Sequence, residues 1–531
     1  MNDTPKGPDR RVFLTGGTGY IGRHLLVRLL TSGFRVLALV RPHDCAPEER
    51  IRRALEPLGA LSTEAISRLE WVAGDVTHPN CGLSTSALER LRHLRPDTFI
   101  HCAGLTRFEE RQADALQRIN HLGTRHAFEL CCSSNIPVFI HTSTAFVAGD
   151  TPVPFFSTDL EVGQGFHNPY ERSKFDAERY LVQAVQKTPI SLRIHRPSIV
   201  VGGIPIGEHS DVGTVYAFLK ALHFIRTCCR LDHEQASGRL SALGVRNKGD
   251  TLFIPMRVVA SEAVHINLVA IDQVVDTLMR DVDDRGKHPI RVRHVVARKG
   301  CSLATLRDIF CRVMRMEGVT FCTTVDFENT PKNALEGRFH RATRAYDPYL
   351  QHTVLFQPDS DDPDGSSAVP VDPERVARQF FSLWQAGEER TPHLGRLTLD
   401  ALGIDDPHRY FEGLVRGDFG ADFLEKNKFI TASIRFHVPG ASPFDQILCF
   451  SHGKARFLST EETGTPDCSF DLDAATFRAV VRCHLDPKQA FFRGLIRIGG
   501  NRETGLKFAH LLSQYYRNIN DHVLDEVARF S

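Results

Sequence analysis

The sequence lacks the features of proteins that bind charged polymers. Its 65 Lys and Arg residues nearly balance its 64 Asp and Glu residues, so the formal net charge is only +1. Such a chain has no long-range field that would attract nucleic acid or an anionic membrane, and its basic and aromatic residues do not interleave into a nucleic-acid groove. We therefore expect small molecules or proteins as partners, and no nucleic acid.

Signals for export or for disulfide bonding are also missing. The 13 cysteines include the adjacent pairs Cys131-Cys132 and Cys228-Cys229 but no CxxC spacing, which favours reduced thiols. Residues 1–11 are polar and lack the apolar centre of a secretory signal. We expect a cytoplasmic protein.

Long hydrophobic runs and metal motifs are absent as well. The most apolar later stretch, Val215 to Cys229, contains Lys220 and Arg226, so it is too short and too charged to span a bilayer. There is no HExxH motif, and His121 and His126 are five residues apart, which is off a common helical face. We predict neither a transmembrane segment nor a metal site.

The length and the order of the predicted elements indicate several domains. A chain of 531 residues can form two or three cores. Strands and helices alternate from about residue 10 to residue 200, which predicts an α/β fold with a Rossmann-type doubly wound parallel sheet. The alternation loosens from about 202 to 300, which we interpret as a substrate-covering region. Turn-forming residues at 360–373 and 387–396 precede short strands and two helices, typical of a separate α+β module.

The first predicted strand, Val12 to Thr15, leads into a glycine-rich turn and then into an amphipathic helix. The turn consists of Thr15, Gly16, Gly17, Thr18, Gly19, Tyr20, Ile21 and Gly22. Gly16, Gly19 and Gly22 allow a tight bend and a close approach of backbone to phosphate, and the helix start supplies N–H donors. We predict that this turn binds the pyrophosphate of a nicotinamide dinucleotide.

The end of the second predicted strand indicates which dinucleotide. Val40-Arg41 stands where an acidic residue would bind the ribose hydroxyls of NAD, and a guanidinium there would bind a 2′-phosphate, so we predict NADPH. The alternatives are a solvated Arg41 beside Pro42, and NAD bound through Asp44. After the third strand, Asp75 is expected to accept from the adenine amino group or to serve as a simple turn residue.

Two residues, Tyr170 and Lys174, have the spacing of a proton-transfer pair. They are four apart, which on a helix places both on one face. A nearby ammonium favours phenolate, so we expect Lys174 to lower the pKa of Tyr170 toward that of a useful proton donor. Asn120 could hold a backbone carbonyl and a water near Lys174, and a solvent-facing Asn is the alternative.

Ser143 ends a predicted strand at the sheet edge where open α/β sheets place their ligands. Its hydroxyl could hold a substrate carbonyl. Thr142 and Thr144 flank Ser143 and compete for the same role.

Together these motifs resemble the extended short-chain dehydrogenase/reductase superfamily over residues 10–300. Within it, the chain is similar to fatty acyl-CoA reductases and to the thioester reductase domains of carrier-protein assembly lines. Three stretches carry this likeness: HCAGLTRFEE at 101–110, HTSTAFVAG at 141–149 and HINLVAID at 265–272. Two positions depart from the group's pattern, namely Gly104 in place of a second alanine and Ala270 in place of a proline.

The resemblance implies NADPH-dependent reduction of an acyl thioester borne by CoA or an acyl carrier protein. Hydride would pass from nicotinamide C4 to the thioester carbonyl while Tyr170 protonates the oxyanion, Ser143 assists and Lys174 holds the nicotinamide ribose. The hemithioacetal would collapse to aldehyde and thiol, and a second hydride could give an alcohol. The resemblance also places three further residues against the cofactor: Ala103, Gly104 and Pro197.

The run Leu485 to Gly500 resembles the signature of sterol carrier protein lipid-binding domains. Asp486-Pro487 begins a helix, Gly494 breaks it, and a closing helix is expected from Thr504 to Tyr516. The apolar stripe of that helix comprises Phe508, Leu511, Leu512 and Tyr515. The likeness implies a bound lipid, and an ordinary core is the alternative.

We therefore divide the chain into a reductase domain at 10–300, an extension and linker at 301–400, and a sterol-carrier-like domain at 405–525. An alternative function is an NAD(P)-dependent dehydrogenase or epimerase acting on a steroid, a hydroxylated lipid or a nucleotide sugar. A lipid carrier with a structural dinucleotide is the non-enzymatic alternative, and the intact pair Tyr170 and Lys174 argues against it.

Overall fold

A computed structural model describes the chain at residues 10–42, 46–203, 214–234, 243–283, 289–358, 371–390, 406–416, 424, 431–440, 443–458, 465–481, 485 and 487–509. The chain divides into two compact units, Met1–Leu383 and Trp384–Ser531. Each unit is described by itself.

The first unit contains fourteen strands within its described residues. They are β1 (Arg11–Thr15), β2 (Arg35–Val40), β3 (Leu69–Ala73), β4 (Thr98–His101), β5 (Val138–Thr142), β6 (Ser191–Pro197), β7 (Ile199–Val201), β8 (Arg246–Lys248), β9 (Thr251–Val259), β10 (His265–Ile266), β11 (Leu268–Ala270), β12 (Ile290–Val295), β13 (Cys301–Ser302) and β14 (Met316–Cys322).

The helices of this unit connect the strands. They are α1 (Tyr20–Thr31), α2 (Pro47–Leu55), α3 (Thr63–Ile66), α4 (Thr85–Leu94), α5 (Ala113–Leu116), α6 (Gly123–Ser133), α7 (Pro169–Val185), α8 (Val215–Glu234), α9 (Ile271–Asp283), α10 (Leu303–Val313), α11 (Thr324–Asn329), α12 (Ala334–Thr343), α13 (Asp347–Gln351) and α14 (Pro373–Arg390). A π-helical turn, Gln117–Leu122, joins α5 to α6.

Seven strands form one sheet in the order β12-β6-β5-β4-β1-β2-β3, and every pair in it is parallel. The predicted doubly wound α/β fold is therefore confirmed. The strand order reverses between β1 and β4, and such a switch point opens a crevice at the carboxyl ends of the strands.

Side-chain alternation along the strands builds a core on each face of this sheet. Phe13, Phe99 and Phe139 point to the face covered by α4, α6 and α7, while Leu14 and Ile140 point to the face covered by α1 and α9. Because both faces of the sheet are buried, the strand sequences are almost continuously apolar. The crevice therefore lies at the edge of a rigid, well-packed sheet.

A smaller sheet of three strands, in the order β14-β9-β8, is also present in this unit. The nine-residue strand β9 pairs with β14 in parallel and with β8 in the antiparallel direction. The short strands β10 and β11 lie on either side of Asn267, and α9 begins at Ile271.

The second unit is an α+β module, as predicted. Its five strands are β15 (Ala432–Val438), β16 (Phe444–Ser451), β17 (Lys454–Phe457), β18 (Cys468–Leu472) and β19 (Ile496–Gly500), in the order β17-β16-β15-β18-β19. Its described helices are α15 (Pro407–Arg416), α16 (Ala474–Val481), α17 (Pro487–Phe492) and a helix at residues 502–509.

Several predictions fall on residues outside the described ranges. These residues are Asp44, Asp486, Leu511, Leu512, Tyr515 and Tyr516, together with most of the 360–373 linker. At the end of that linker, Asp372 Oδ1 accepts from the backbone N of Glu374 over 2.9 Å, at the start of α14.

The described ranges contain neither a candidate membrane span nor a candidate metal site. No helix there combines the length and apolarity needed to cross a bilayer. No group of three or more His, Cys, Asp or Glu side chains is placed to hold a metal ion.

Candidate active site

The glycine turn at the end of β1 packs backbone against backbone. Gly16 has a φ of +73°, and a Cβ there would lie 2.4 Å from the backbone N of Ala103. A Cβ on Gly22 would lie 2.0 Å from the carbonyl oxygen of Gly16. Side chains at these two positions would displace the turn. The observed contacts therefore explain why the turn requires glycine here.

The first turn of α1 is open to an anion. Gly19 is its N-cap residue, no side chain caps the helix, and the first turn has no acidic residue. The N–H groups of a helix start are unpaired and carry a partial positive charge, which suits a pyrophosphate. Thr18 is half-buried in the turn, and Tyr20 and Ile21 line a cavity together with Gly19 and Gly22. These residues fit a dinucleotide.

The region beyond β2 is basic. The Arg41 side chain is exposed just after β2, and its backbone oxygen accepts a 2.8 Å hydrogen bond from Arg50 Nη1 on α2. Sequence reasoning missed Arg50, although the basic run around it in a helix that follows Arg41 could have indicated it. Asp75 Oδ1 accepts from the backbone N of Thr77 over 2.9 Å, so a turn role of Asp75 is observed.

A cavity of about 300 Å³ begins at the glycine turn and passes the predicted catalytic residues. Ser143, Tyr170, Gly104 and Pro197 line it. The predicted site residues from four separate segments are thus brought together. Ala103 lies at the edge of this group, with its backbone N 3.4 Å from Thr15 Oγ1.

The three adjacent hydroxyls differ in their partners. Thr142 Oγ1 lies 3.1 Å from Cys102 Sγ, and Thr144 Oγ1 accepts from the backbone N of Phe146 over 3.3 Å. Ser143 Oγ is buried and has no hydrogen-bond partner within the described part of the chain. Because Ser143 also borders the cavity, its hydroxyl is the one of the three that is free to bind a substrate carbonyl.

Tyr170 faces the cavity from the first turn of α7. Burial raises the pKa of Tyr170 to about 12, and hydrogen bonds with Thr144 and Thr106 act in the opposite direction. The predicted lowering of this pKa by Lys174 is wrong, because burial dominates and the Lys174 ammonium donates to the carbonyl oxygen of Thr142 over 2.8 Å. The phenol is therefore protonated near neutral pH, which suits a proton donor.

Lys174 is almost fully buried beneath the cavity. Burial lowers the pKa of Lys174 to about 8 because few polar groups replace the lost water. A Cβ on Gly104 would lie 3.4 Å from Lys174 Nζ and 3.3 Å from Asn120 Oδ1. Glycine at 104 therefore leaves room for both polar groups.

Asn120 lies in the π-helical turn and holds the loop after β4. Its Nδ2 donates to the carbonyl oxygen of Leu105 over 2.9 Å and to Ser173 Oγ over 2.9 Å, while its Oδ1 accepts from the backbone N of Leu105 over 2.7 Å. Asn120 is buried and does not face solvent. π-turns often mark functional sites because they redirect one side chain.

A buried histidine, which sequence reasoning missed, links this turn to β1. His101 Nδ1 lies 2.8 Å from Thr15 Oγ1, and His101 Nε2 lies 3.1 Å from Thr124 Oγ1, which donates to the Asn120 carbonyl oxygen over 2.6 Å. Since the Thr124 proton is used there, Nε2 must be the protonated nitrogen of His101. Burial and the charge on Lys174 lower the pKa of His101 to about 3, so it stays neutral.

Beyond Tyr170 the cavity wall is apolar. Residues from α8, α10, β14, α12 and α13 form it, among them Phe218, Leu222, Leu306, Phe310, Phe339 and Tyr349. The one charged side chain in the lining, Arg307, is paired with Glu262 and Asp308 at 2.9 Å each. Such a lining suits an aliphatic group better than a sugar or a nucleotide.

The second unit encloses a separate small cavity of about 50 Å³. Its lining is aromatic and aliphatic and includes Phe411, Phe436, Phe470, Phe477 and Phe508. This volume is far below the roughly 300–1,000 Å³ of ordinary ligand pockets, so a lipid would have to displace core side chains.

Comparison with known proteins gives two family matches. Residues 14–260 match the family described as male sterility protein, and residues 421–513 match the SCP-2 sterol transfer family. Among curated relatives, fatty acyl-CoA reductase 1 of Gallus gallus is 34% identical over 147 residues, which is 26% of this chain and 28% of that protein. UDP-glucose 4-epimerase 3 of Oryza sativa subsp. japonica is 30% identical over 216 residues, which is 39% of this chain and 53% of that protein.

The matches span only part of the curated relatives, between 4% and 53% of their length. Among solved structures, the terminal R domain from the myxalamid PKS-NRPS biosynthetic pathway aligns with a TM-score of 0.54 at 21% identity, covering 72% of this chain and 92% of that domain. This likeness shows the fold. The predicted resemblance is confirmed as two domain matches: residues 14–260 match the male sterility protein family and residues 421–513 match the SCP-2 sterol transfer family.

Proposed function

We propose that the protein reduces an acyl thioester, borne by CoA or by an acyl carrier protein, with NADPH. The observation that carries the proposal is the continuity of the cavity. It runs from the glycine turn, past Ser143 and Tyr170, into an apolar wall. A dinucleotide at one end and an aliphatic chain at the other would meet at these two hydroxyls.

NADPH is proposed on the charge beside β2. Arg41 is exposed there and Arg50 donates to its backbone, while no acidic residue ends the strand. Guanidinium groups suit a phosphate and do not suit the bare ribose hydroxyls that an acidic residue would bind. When bound, this cofactor supplies a hydride from nicotinamide C4.

The proton in the reaction is assigned to Tyr170. Ser143 Oγ and the Tyr170 hydroxyl border the cavity and would both donate to the carbonyl oxygen, which stabilises the negative charge that develops on it. Tyr170 then gives up its proton to form the hemithioacetal, whose carbon–sulfur bond breaks to release thiol and aldehyde. Reduction of that aldehyde to an alcohol would use the same groups.

Lys174 and Asn120 are proposed to support this step. The Lys174 ammonium, held by the Thr142 carbonyl oxygen, would bind the nicotinamide ribose and stabilise the phenolate left on Tyr170. Asn120 fixes the Leu105 backbone beside the same cavity. Asp75, Ala103, Gly104 and Pro197 are proposed to contact the cofactor.

The second unit is proposed to bind a lipid, on its family match and on the apolar lining of its small cavity, which would have to widen to admit one. Binding there could supply or receive the acyl group of the reductase. The three-part division at 10–300, 301–400 and 405–525 and a cytoplasmic location are also proposals, the latter on cysteines that are free in the described part of the chain.

A substrate panel tests the proposed function. Purified protein is mixed with NADPH and, in turn, an acyl-CoA, an acyl carrier protein thioester, a ketosteroid and a UDP-sugar, and NADPH consumption is followed by absorbance. We expect turnover with a thioester and none with the UDP-sugar. Turnover confined to the ketosteroid or the sugar would reject the proposal.

A further inference from the structure

Tyr349 borders the apolar cavity and also contacts α7, the helix that carries Tyr170. It lies on α13, and its ring borders the cavity. The ring centroid is 5.2 Å from that of Phe146 and 5.7 Å from that of Phe108, and Phe108 is 5.5 Å from Tyr170. Aromatic rings therefore crowd the cavity next to the residue that would protonate the carbonyl oxygen.

Buried polar groups fix the hydroxyl of Tyr349. Asn168 Nδ2 donates to Tyr349 Oη over 2.6 Å, and Tyr349 Oη donates to Glu171 Oε1 over 2.5 Å. Glu171 has no exposed surface, and its second oxygen accepts from the backbone N of His167 over 2.8 Å. Two short hydrogen bonds meet at the Tyr349 hydroxyl, and together they hold the ring in one position.

Asn168 and Glu171 also lie at the start of α7. Asn168 is the N-cap residue of α7, and its Oδ1 accepts from the backbone N of Glu171 over 3.1 Å. Tyr170 lies between these two residues in the chain. The position of Tyr349 and the position of Tyr170 thus depend on one pair of buried side chains.

We propose that Tyr349 determines the width of the acyl site beside the reacting carbonyl, and that Glu171 is the positioning residue that fixes Tyr349. This inference rests on the proposed thioester reduction. A fixed ring next to Tyr170 favours straight-chain acyl groups, because a branch at the carbon next to the carbonyl would meet the ring. The rigid wall also lowers the entropy lost when a straight chain binds.

The test compares octanoyl-CoA with 2-methyloctanoyl-CoA. kcat and KM are measured for the wild type, Tyr349→Ala, Tyr349→Phe and Glu171→Gln. We expect Tyr349→Ala to raise kcat/KM for the branched substrate relative to the straight one by about tenfold, mainly through KM, since a methyl-sized contact is worth about this much. Tyr349→Phe and Glu171→Gln keep a ring but loosen it, so we expect smaller shifts in the same direction.

Tyr180→Phe is the matched control, because Tyr180 lies on the same helix and packs against Phe128 and Arg125 away from the cavity. We expect it to leave the substrate ratio unchanged. A gain on the branched substrate cannot come from misfolding, so Tyr349→Ala is informative even if it is less stable.

An unchanged ratio in Tyr349→Ala would overturn the inference. The binding of the two CoA thioesters to the same variants is also measured by calorimetry. The ratio of their dissociation constants tests the role of Tyr349 without requiring turnover. If the wild type binds but reduces neither thioester, the proposed function fails, and the binding ratio still decides the role of Tyr349.

Discussion

Replacing Gly22 with alanine should damage the glycine turn, although alanine is the better helix former. Both Gly22 and Gly337 lie in helices, where a change from glycine to alanine gains about 1 kcal/mol. A Cβ on Gly337 would meet only the flexible end of Arg341 at 3.7 Å. A Cβ on Gly22 would lie 2.0 Å from the Gly16 carbonyl oxygen, so the two groups cannot both stay in place.

The expected cost follows from this contact. The Gly16 carbonyl oxygen also accepts from the backbone N of Gly19 over 2.9 Å, so moving it breaks the hydrogen bond that closes the turn. Overpacking of this kind costs about 1–3 kcal/mol, which offsets the helix gain. Misalignment of one charge-assisted hydrogen bond to the pyrophosphate would cost a further 1.5–3 kcal/mol or so. We therefore expect NADPH affinity to fall about 10- to 100-fold in Gly22→Ala.

The assay combines an NADPH fluorescence titration with thermal unfolding at several NADPH concentrations. Gly337→Ala should bind NADPH as the wild type does and unfold at an equal or higher temperature. Gly22→Ala should show a weaker titration and a smaller stabilisation by NADPH. Wild-type NADPH affinity in Gly22→Ala would refute the assignment of this turn as the pyrophosphate site.

Three further predictions concern the polar residues of the site. Tyr170→Phe should abolish turnover while NADPH still binds in the fluorescence titration; residual turnover near the wild-type rate would exclude Tyr170 as the proton donor. Arg41→Ala should reduce the preference for NADPH over NADH, measured as the ratio of kcat/KM, by about tenfold, which is the value of one exposed charge-assisted contact. The same ratio in the variant as in the wild type would reject the 2′-phosphate role of Arg41. Because burial lowers the pKa of Lys174 to about 8, its ammonium is present below this pH and lost above it, so NADPH affinity should decline as pH rises through 8. Lys174→Arg keeps its charge and should remove that decline if charge alone is responsible; an unchanged wild-type affinity up to about pH 10 would contradict the titration.

The parts of the fold that sequence predicted are those fixed by local pattern. The helix Tyr20–Thr31 and the strand Arg35–Val40 are of this kind, because apolar periodicity and flanking glycines act within a few residues. The strand Cys468–Leu472 has a weaker local pattern, since only alternate residues in its first half are buried and it is paired with strands on both sides.

The parts of the site that could not be predicted depend on contacts across the chain. The π-turn around Asn120 lies inside a stretch that reads as one helix, and its side chain is held by Leu105 and Ser173 from other segments. Tyr349 looks like an ordinary core residue in sequence. The folded chain places it in the cavity wall and within hydrogen-bond distance of Asn168 and Glu171.

The pKa of Tyr170 illustrates the same limit. A spacing of four residues correctly placed Tyr170 and Lys174 on one helix, but spacing does not give the direction of a side chain. Lys174 donates to the Thr142 carbonyl oxygen, and burial dominates at the phenol, so its pKa is raised rather than lowered.

The central claim, hydride transfer to a thioester carbonyl, is tested most directly with NADPH deuterated at nicotinamide C4. The protein is incubated with octanoyl-CoA and the deuterated cofactor, free thiol is titrated, and the product is analysed by mass spectrometry. The account predicts deuterium on the former carbonyl carbon and release of one CoA thiol per aldehyde or alcohol formed. Cofactor oxidation without thiol release, or a product without deuterium at that carbon, would contradict it.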